Sequence, residues 1–107
     1  MDEETQYTKI KNAIVATGVK DFSYNVCRWE FPGTWVTKIA DSWRISPDIN
    51  PTFGRMVEIL DMNTFLAPFM SPGHYNDMDM LEIGNGKLSF DENKAQMSLW
   101  SVLTSPL

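Results

Sequence analysis

Helical and strand-like segments alternate along the whole chain, and this alternation limits the folds that the sequence can adopt. Apolar residues recur at helical spacing from about Thr5 to Thr17, and the short aromatic and β-branched segment Phe22 to Cys27 reads as a buried strand. The same order then repeats, with four helices and three strands joined by connections of a few residues. Such alternation is typical of parallel strands joined by crossover helices. We therefore expect an α/β protein.

Apolar spacing predicts the elements in the middle of the chain. A second helix is predicted from five residues that share one helical face: Trp35, Val36, Ile39, Ala40 and Trp43. A very short strand, Arg44 to Ser46, comes next and is stopped by Pro47. A third helix is predicted after Asn50 and Pro51, which supply an N-cap and a first-turn proline. Its apolar stripe has four members: Phe53, Met56, Val57 and Leu60.

The last strand and the last helix are predicted from turn and capping signals. We place the end of the third strand around His74 to Asn76. Ser89 and Glu92 have the spacing of a capping box, so the final helix is predicted over about Asp91 to Leu103. Three strands cannot close a barrel and would leave both edges of a sheet unpaired. We therefore expect residues 1–107 to be one segment of a larger fold.

Composition argues against several classes of partner. The formal net charge is −5, from nine basic and fourteen acidic residues, and no run of Lys or Arg occurs, so we expect no nucleic-acid partner. No apolar stretch approaches the roughly 18 residues that span a bilayer, so we expect no membrane partner. The first ten residues are polar and acidic and do not resemble a secretory signal. Cys27 is the single cysteine, so an internal disulfide is not expected.

Asp48 is the first candidate for chemistry, because it follows a predicted strand end and the turn at Pro47. A carboxyl at this place can act as a general acid, or it can cap the following turn or helix, which is the commoner role of such an aspartate. A general acid needs a pKa raised by burial or by a neighbouring anion, whereas a cation lowers it. Since Arg44 lies four residues upstream, we expect it either to lie apart from Asp48 or to act chiefly on the substrate.

The second candidate is the string from Asn76 to Met80, which places two carboxylates and an amide within four residues. If the strand continues, alternation directs Asp77 and Asp79 to one face. Carboxylates accept several hydrogen bonds each, so the cluster suits the hydroxyl groups of a sugar. The string lacks the further acidic residues of a calcium loop, and His74 is the only histidine, so we expect no metal and no cofactor.

Several motifs in the right order resemble the α-galactosidases of glycoside hydrolase family 27, over about Tyr7 to Leu107. The motifs are Cys27-Arg28-Trp29, Phe31-Pro32-Gly33-Thr34-Trp35, Ser42-Trp43-Arg44 through Asp48-Ile49, and Gly73 through Gly86. This resemblance implies a (β/α)₈ TIM barrel, of which residues 1–107 would be a partial catalytic domain, from the helix after strand 4 through the helix after strand 7. It also implies hydrolysis of terminal α-D-galactosyl residues with retention of configuration, on an α-galactoside or an oligosaccharide.

The resemblance implies roles for individual residues. Asp48 matches the general acid/base of the family, and Arg44 matches its sugar-binding arginine. Asp79 and Met80 match a carboxylate and a methionine at the galactose pocket. The residues that match the pocket lining after the preceding strand are Cys27, Arg28 and Trp29, and Trp29 is also the tryptophan whose position best suits stacking on a sugar.

The chain departs from the family pattern at Arg28, where many members carry Glu or Asn facing the 2-position of the sugar. Arginine donates hydrogen bonds but cannot accept them. The resemblance is therefore compatible with a related α-N-acetylgalactosaminidase or β-L-arabinopyranosidase. A non-catalytic carbohydrate-binding or vestigial barrel segment is a further alternative, because the Lys-x-Asp motif of the family nucleophile has no counterpart before Tyr7.

Two further expectations follow from the resemblance. A retaining glycosidase needs two carboxyl groups, so the 107-residue chain is expected to be inactive by itself. Enzymes of this family are commonly secreted or periplasmic, which gives an expected location by analogy. The sequence makes no prediction of the oligomeric state.

Overall fold

Three short parallel strands form the centre of the protein, with helices packed against them. The computed structural model describes all of residues 1–107. The helices are α1 (Glu3–Ala16), α2 (Phe53–Leu66) and α3 (Phe90–Val102), and the strands are β1 (Asn25–Val26), β2 (Ser42–Arg44) and β3 (Tyr75–Asp77). Two 3₁₀ turns, Thr34–Lys38 and Ala67–Phe69, lie before β2 and after α2.

The strands form one sheet in the order β1-β2-β3, with both pairs parallel. Asn25 is in register with Ser42, and Arg44 is in register with Asp77. The parallel arrangement confirms the predicted α/β class. Because β2 lies in the middle, each outer strand has only one partner, and the sheet is an open layer.

Alternation along the strands gives the sheet two different faces. One face carries residues with no exposed surface: Val26, Trp43 and Asn76. The apolar ones belong to the main buried cluster together with Met56 and Ile59 of α2 and Trp100 of α3. The opposite face carries polar residues: Asn25, Ser42, Arg44 and Asp77. The helices therefore cover one face of the sheet, and the polar face is left for other contacts.

A buried polar network joins α2 to the sheet. The Asn76 side chain accepts a hydrogen bond from Trp43 Nε1 at 2.7 Å through its Oδ1. Its Nδ2 donates to Asn63 Oδ1 and to the Leu66 carbonyl oxygen, both at 3.0 Å. Each polar atom of Asn76 thus has a partner, as buried polar groups require.

Local capping chemistry fixes where α1 and α3 begin. Asp2 caps α1 by accepting a hydrogen bond from the Thr5 backbone N–H at 2.8 Å. That bond, together with one from the Thr5 hydroxyl, lowers the pKa of Asp2 below its ordinary value. At α3 the Ser89 and Glu92 side chains each bond the backbone N–H of the other, so the predicted capping box is confirmed.

The predicted second helix is wrong. Residues Thr34–Lys38 form only a 3₁₀ turn, and Trp43 lies in β2 instead of on a helix. Val36, Ala40 and Trp43 are all buried, but in a turn, a connection and a strand that meet in the same core. The apolar spacing of these residues therefore reflects a shared core and happens to match a helical period.

The start of α2 also differs from the prediction. Thr52 is its N-cap and accepts a hydrogen bond from the Arg55 backbone N–H, so Asn50 and Pro51 precede the helix. Its buried residues are Met56, Ile59 and Asn63. Phe53 and Val57, which were predicted to belong to the buried stripe, are 40% and 38% exposed. The helix is therefore rotated relative to the predicted stripe.

The molecule is extended, measuring 46 × 26 × 23 Å with a radius of gyration of 15.0 Å. A compact domain of this length has a radius of gyration of about 13 Å. The difference agrees with an open sheet that is covered on one face. None of the helices combines the length and the apolar character needed to cross a membrane.

Candidate functional site

A cavity of about 510 Å³ lies on the polar face of the sheet, where the strands end. It is lined by residues from all three strands and their following loops, and by two residues at the C-terminus: Asn25, Cys27, Arg44, Asp77, Asp79, Met80, Leu81, Pro106 and Leu107. The volume is in the range of small-molecule sites. The cavity is therefore the candidate functional site.

Arg44, at the end of β2, joins two carboxylates at this site. Its Nη2 lies 2.7 Å from Asp79 Oδ2 and 3.0 Å from Asp48 Oδ1, and it also donates to the Ser46 carbonyl oxygen at 3.2 Å. The side chains of Arg44 and Asp79 are each 11% exposed, whereas that of Asp48 is 74% exposed. Arg44 thus connects a nearly buried carboxylate with one at the rim.

Asp79 is held from several directions. Its Oδ2 accepts a hydrogen bond from the Ile49 backbone N–H at 2.8 Å, in addition to the contact with Arg44. Its Oδ1 accepts one from the Met80 backbone N–H at 2.7 Å. Its carbonyl oxygen accepts one from Trp100 Nε1 of α3, also at 2.7 Å. The position of this carboxylate is therefore set by the sheet, the loop after β2 and α3 together.

Asp48 lies in the loop after β2 and is not part of the cavity lining. It contacts Arg44 directly, so of the two arrangements expected from the sequence, the one with Arg44 apart from Asp48 does not occur. The Asp48 carboxyl is exposed to solvent and contacts the guanidinium of Arg44, which does line the cavity.

A comparison with known families decides which kind of protein this is. A sequence model of the family described as alpha galactosidase A matches residues 2–107. The chain belongs to the alpha galactosidase A family.

Curated relatives named as alpha-galactosidases align with nearly the whole chain. The chain is 38% identical to Alpha-galactosidase 3 of Arabidopsis thaliana over 104 residues, which are 95% of this chain and 24% of the relative. Identity to the Alpha-galactosidase of Oryza sativa subsp. japonica is also 38%, over 95% of this chain and 25% of the relative. Identity to the Probable alpha-galactosidase B of Aspergillus oryzae is 36%, over 95% of this chain and 23% of the relative. The chain thus spans about a quarter of the length of these relatives.

The fold is similar to that of a solved alpha-galactosidase. The crystal structure of alpha-galactosidase I from Mortierella vinacea superimposes with a TM-score of 0.78 and 25% identity, covering 97% of this chain and 32% of the other. The three parallel strands and their helices are therefore a segment of a (β/α)₈ barrel, as predicted. In such barrels the functional groups lie at the C-terminal ends of the strands, which is where the cavity lies here.

Cys27 and Met80, which were expected from the resemblance to lie at the sugar pocket, both line the cavity. Cys27 Sγ is 4.0 Å from Arg44 Nη1, and the Cys27 carbonyl oxygen accepts a hydrogen bond from the Tyr7 hydroxyl at 3.1 Å. The second contact connects α1 to the end of β1.

Arg28 and Trp29 lie outside the cavity lining. The Arg28 guanidinium pairs with Glu3 of α1 through Nη1 and with Glu30 at 2.6 Å through Nη2. Trp29 has a φ of 62° and a largely exposed side chain. The structure therefore brings Asp48, Arg44, Asp79, Cys27 and Met80 together and leaves these two residues at the margin.

Asn25 and Asp77 line the cavity but were not among the site residues expected from the sequence. Asn25 Nδ2 donates to Asp77 Oδ2 at 2.9 Å, so the first and third strands are connected across the second. Asp77 had one sequence signal, its alternation with Asp79 on a common face, and both residues do line the cavity. Asn25 had none, because its partner is 52 residues away. No three His, Cys, Asp or Glu side chains are grouped so as to hold a metal ion.

Proposed function

We propose that residues 1–107 supply the acid/base carboxyl and part of the galactose pocket of a retaining α-galactosidase. The observation that carries the proposal is the contact of one guanidinium, that of Arg44, with both Asp48 and Asp79 beside the cavity. Membership of the family supports the reaction class. The difference in exposure between the two carboxylates supports their separate roles.

Asp48 would act on the leaving group. In retaining hydrolysis a nucleophilic carboxylate attacks the anomeric carbon while an acid donates its proton to the departing oxygen, and the same residue then removes a proton from water. Asp48 is exposed at the rim, so a leaving group and a water molecule can both reach it. Proton transfer by Asp48 requires that the contact between Asp48 and Arg44 be broken. Arg44 then keeps its two other partners, Asp79 and the Ser46 carbonyl oxygen.

Asp79 would hold the sugar. A carboxylate has about four acceptor positions, and Asp79 Oδ1 accepts only the Met80 N–H, so it retains capacity for a hydroxyl group. The nearby cation and the low exposure of Asp79 strengthen such a hydrogen bond. The cavity of about 510 Å³ accommodates a hexose.

Sugar binding by the 107-residue chain tests this assignment. Galactose titrated into ¹⁵N-labelled protein is expected to shift the amide signals of residues that line the cavity, and Asp79→Asn is expected to weaken binding about tenfold. Asp61→Asn, which changes an exposed aspartate of α2, is the control and should bind like the original chain. Absence of galactose binding, or an equal response to the C4 epimer glucose, would contradict the proposed pocket.

Turnover tests the second half of the proposal. We propose that the second carboxylate, the nucleophile, comes from outside these residues and that the 107-residue chain alone does not hydrolyse an aryl α-galactoside. Steady release of the aryl group that disappears in Asp48→Asn would contradict this statement. It would at the same time support Asp48 as the acid/base.

The substituent at the 2-position of the sugar is a further part of the proposal. Arg28 is paired with Glu3 and Glu30 and does not line the cavity, so its guanidinium does not select for or against a 2-acetamido group there. An α-N-acetylgalactosaminide is therefore the second candidate substrate. Titrations with N-acetylgalactosamine and L-arabinose under the same conditions as galactose would distinguish the candidates, since the tightest ligand identifies the class.

A further inference from the structure

Asp77 links a strained backbone position to a bond that spans the sheet. Its Oδ1 accepts a hydrogen bond from the Asp79 backbone N–H at 2.8 Å. Its Oδ2 accepts one from Asn25 Nδ2 at 2.9 Å. The two oxygens of one carboxylate therefore connect the end of β3 with β1.

The backbone of Asp79 is in the left-handed region, with a φ of 74°. L residues rarely adopt this conformation, and when they do the surrounding structure must hold them there. The Asp77 carboxylate provides one such restraint through a side chain-to-backbone bond spanning two residues. Trp100 provides another at the Asp79 carbonyl oxygen.

The Asp77 carboxylate is itself fixed by β1 and β2. Asn25 Nδ2 has two hydrogens, and it donates one to Asp77 Oδ2 and the other to Ser42 Oγ at 2.8 Å. Ser42 is in register with Asn25 and with Tyr75, whereas Asp77 is in register with Arg44, so the bond from Asn25 to Asp77 runs diagonally across β2 past Ser42. The small Ser42 side chain leaves room for this bond, and one amide group holds the orientation of the carboxylate.

From this chain of contacts we propose that Asp77 is a positioning residue for the sugar site. It holds Asp79 in the left-handed conformation that directs the Asp79 carboxylate to Arg44 and to the Ile49 N–H, and Asn25 orients Asp77 for this purpose. The inference deepens the proposed function and rests on it where galactose binding is concerned. Its geometric part stands on the hydrogen bonds alone.

Exchange of the two side chains provides a specific test. In Asn25→Asp a carboxylate faces the Asp77 carboxylate, so two negatively charged acceptors oppose each other and the Asp77 side chain is expected to turn away from the Asp79 N–H. In the double variant Asn25→Asp with Asp77→Asn the donor and acceptor are exchanged. Asn at 77 can then donate to the carboxylate at 25 and still accept from the Asp79 N–H, while the Ser42 hydroxyl rotates to donate.

Two readouts separate positioning from general stabilisation. The first is the backbone conformation of Asp79, from its three-bond coupling constants and chemical shifts in NMR. The second is the dissociation constant for galactose. We expect Asn25→Asp to move Asp79 out of the left-handed region and to weaken galactose binding about tenfold, and the double variant to restore both. Asn12→Asp, with the same change in charge at an exposed position of α1, should alter neither.

The results that would overturn the proposal are distinct. Retention of a positive φ at Asp79 in Asn25→Asp contradicts it, and so does failure of the double variant to restore that conformation. A double variant that restores the backbone but not galactose binding also contradicts it, since the Asp77 carboxylate would then contact the sugar itself. If Asn25→Asp does not fold, Asn25→Ala replaces it; removal of the orienting amide should still shift the Asp79 coupling constants, and an unchanged value contradicts the proposal. Absence of galactose binding by the original chain would contradict only the proposed function, since the backbone readout still tests the positioning role.

Discussion

The Arg44 guanidinium and the Asp79 carboxylate form an ion pair of 2.7 Å in which both side chains are only 11% exposed. Arg44 comes from β2 and Asp79 from the loop after β3, so the pair connects two adjacent strand ends on the polar face. A charged pair at this depth stabilises its site only while both members are present, because either one alone is poorly solvated. This dependence makes the pair accessible to experiment.

Arg44→Met is expected to lower the free energy of unfolding by about 2 kcal/mol, because it leaves the Asp79 carboxylate without its cation. The loss stays below that of a fully buried pair, since Asp79 keeps two backbone N–H donors. Urea denaturation measures the change. Lys87→Met, at an exposed lysine, is the matched control and should be close to neutral. Equal effects of the two substitutions would argue against a stabilising role of the pair.

Asn76→Ala is expected to destabilise the protein by about 2–3 kcal/mol, because it leaves the Trp43 indole N–H and the Asn63 side chain buried without a partner. Thermal unfolding followed by circular dichroism measures the loss. Asn12→Ala, on the exposed surface of α1, is the control and should be neutral or slightly stabilising, since alanine has the higher helix propensity. A loss as small as that of the control would show that the network contributes little.

The Asp2 cap predicts a pH effect on α1. Hydrogen bonds from Thr5 lower the pKa of Asp2 in the folded state below its ordinary value of 3.8. The stabilisation is therefore present above that pH and is lost as the pH falls through the lower, folded-state pKa. Helix content should decrease more on acidification in the original chain than in Asp2→Asn, which caps the helix without a titrating group. The measurement is an acid titration of each protein followed by circular dichroism. An equal loss of helix content in the two proteins would contradict the prediction.

Tyr24 predicts a second effect, at alkaline pH. Burial, and secondarily the nearby Tyr7, raise the pKa of Tyr24 above its ordinary value of 10.0. Above that pH the unfolded chain loses the phenolic proton first, so stability is complete below it and declines as the pH rises toward the folded-state pKa. The free energy of unfolding should therefore fall less steeply with pH in Tyr24→Phe. Urea denaturation at a series of alkaline pH values measures this dependence. An identical decrease of the free energy of unfolding with pH in the two proteins would exclude the effect.

Local chemistry could be predicted from the sequence, and long-range contacts could not. The Ser89–Glu92 capping box is a short-range signal and was predicted correctly. Trp43 was misplaced because burial by a turn and a strand produced helical spacing, and periodicity does not distinguish these cases. Asn25 was missed because its role depends on a residue 52 positions away, in a strand that is not its neighbour.

The family motifs added what the local signals lacked, by bringing Arg44, Asp48 and Asp79 together as one site. The structure places these three side chains in contact through Arg44, but it places Arg28 beside Glu3 and Glu30. That pairing depends on the carboxylates of Glu3 and Glu30. A motif alone does not predict it, because Glu3 lies on a different element.

Because the two faces of the sheet differ, the number of residues in each strand matters more for the correct placement of side chains than the identity of most residues in it. A single inserted or deleted residue in β2 would exchange the directions of Trp43 and Arg44. The indole would then fill the cavity, and the guanidinium would be forced among the apolar side chains of α2 and α3. Lineages of this barrel should accordingly vary these strands by replacement and confine gains and losses of residues to the loops.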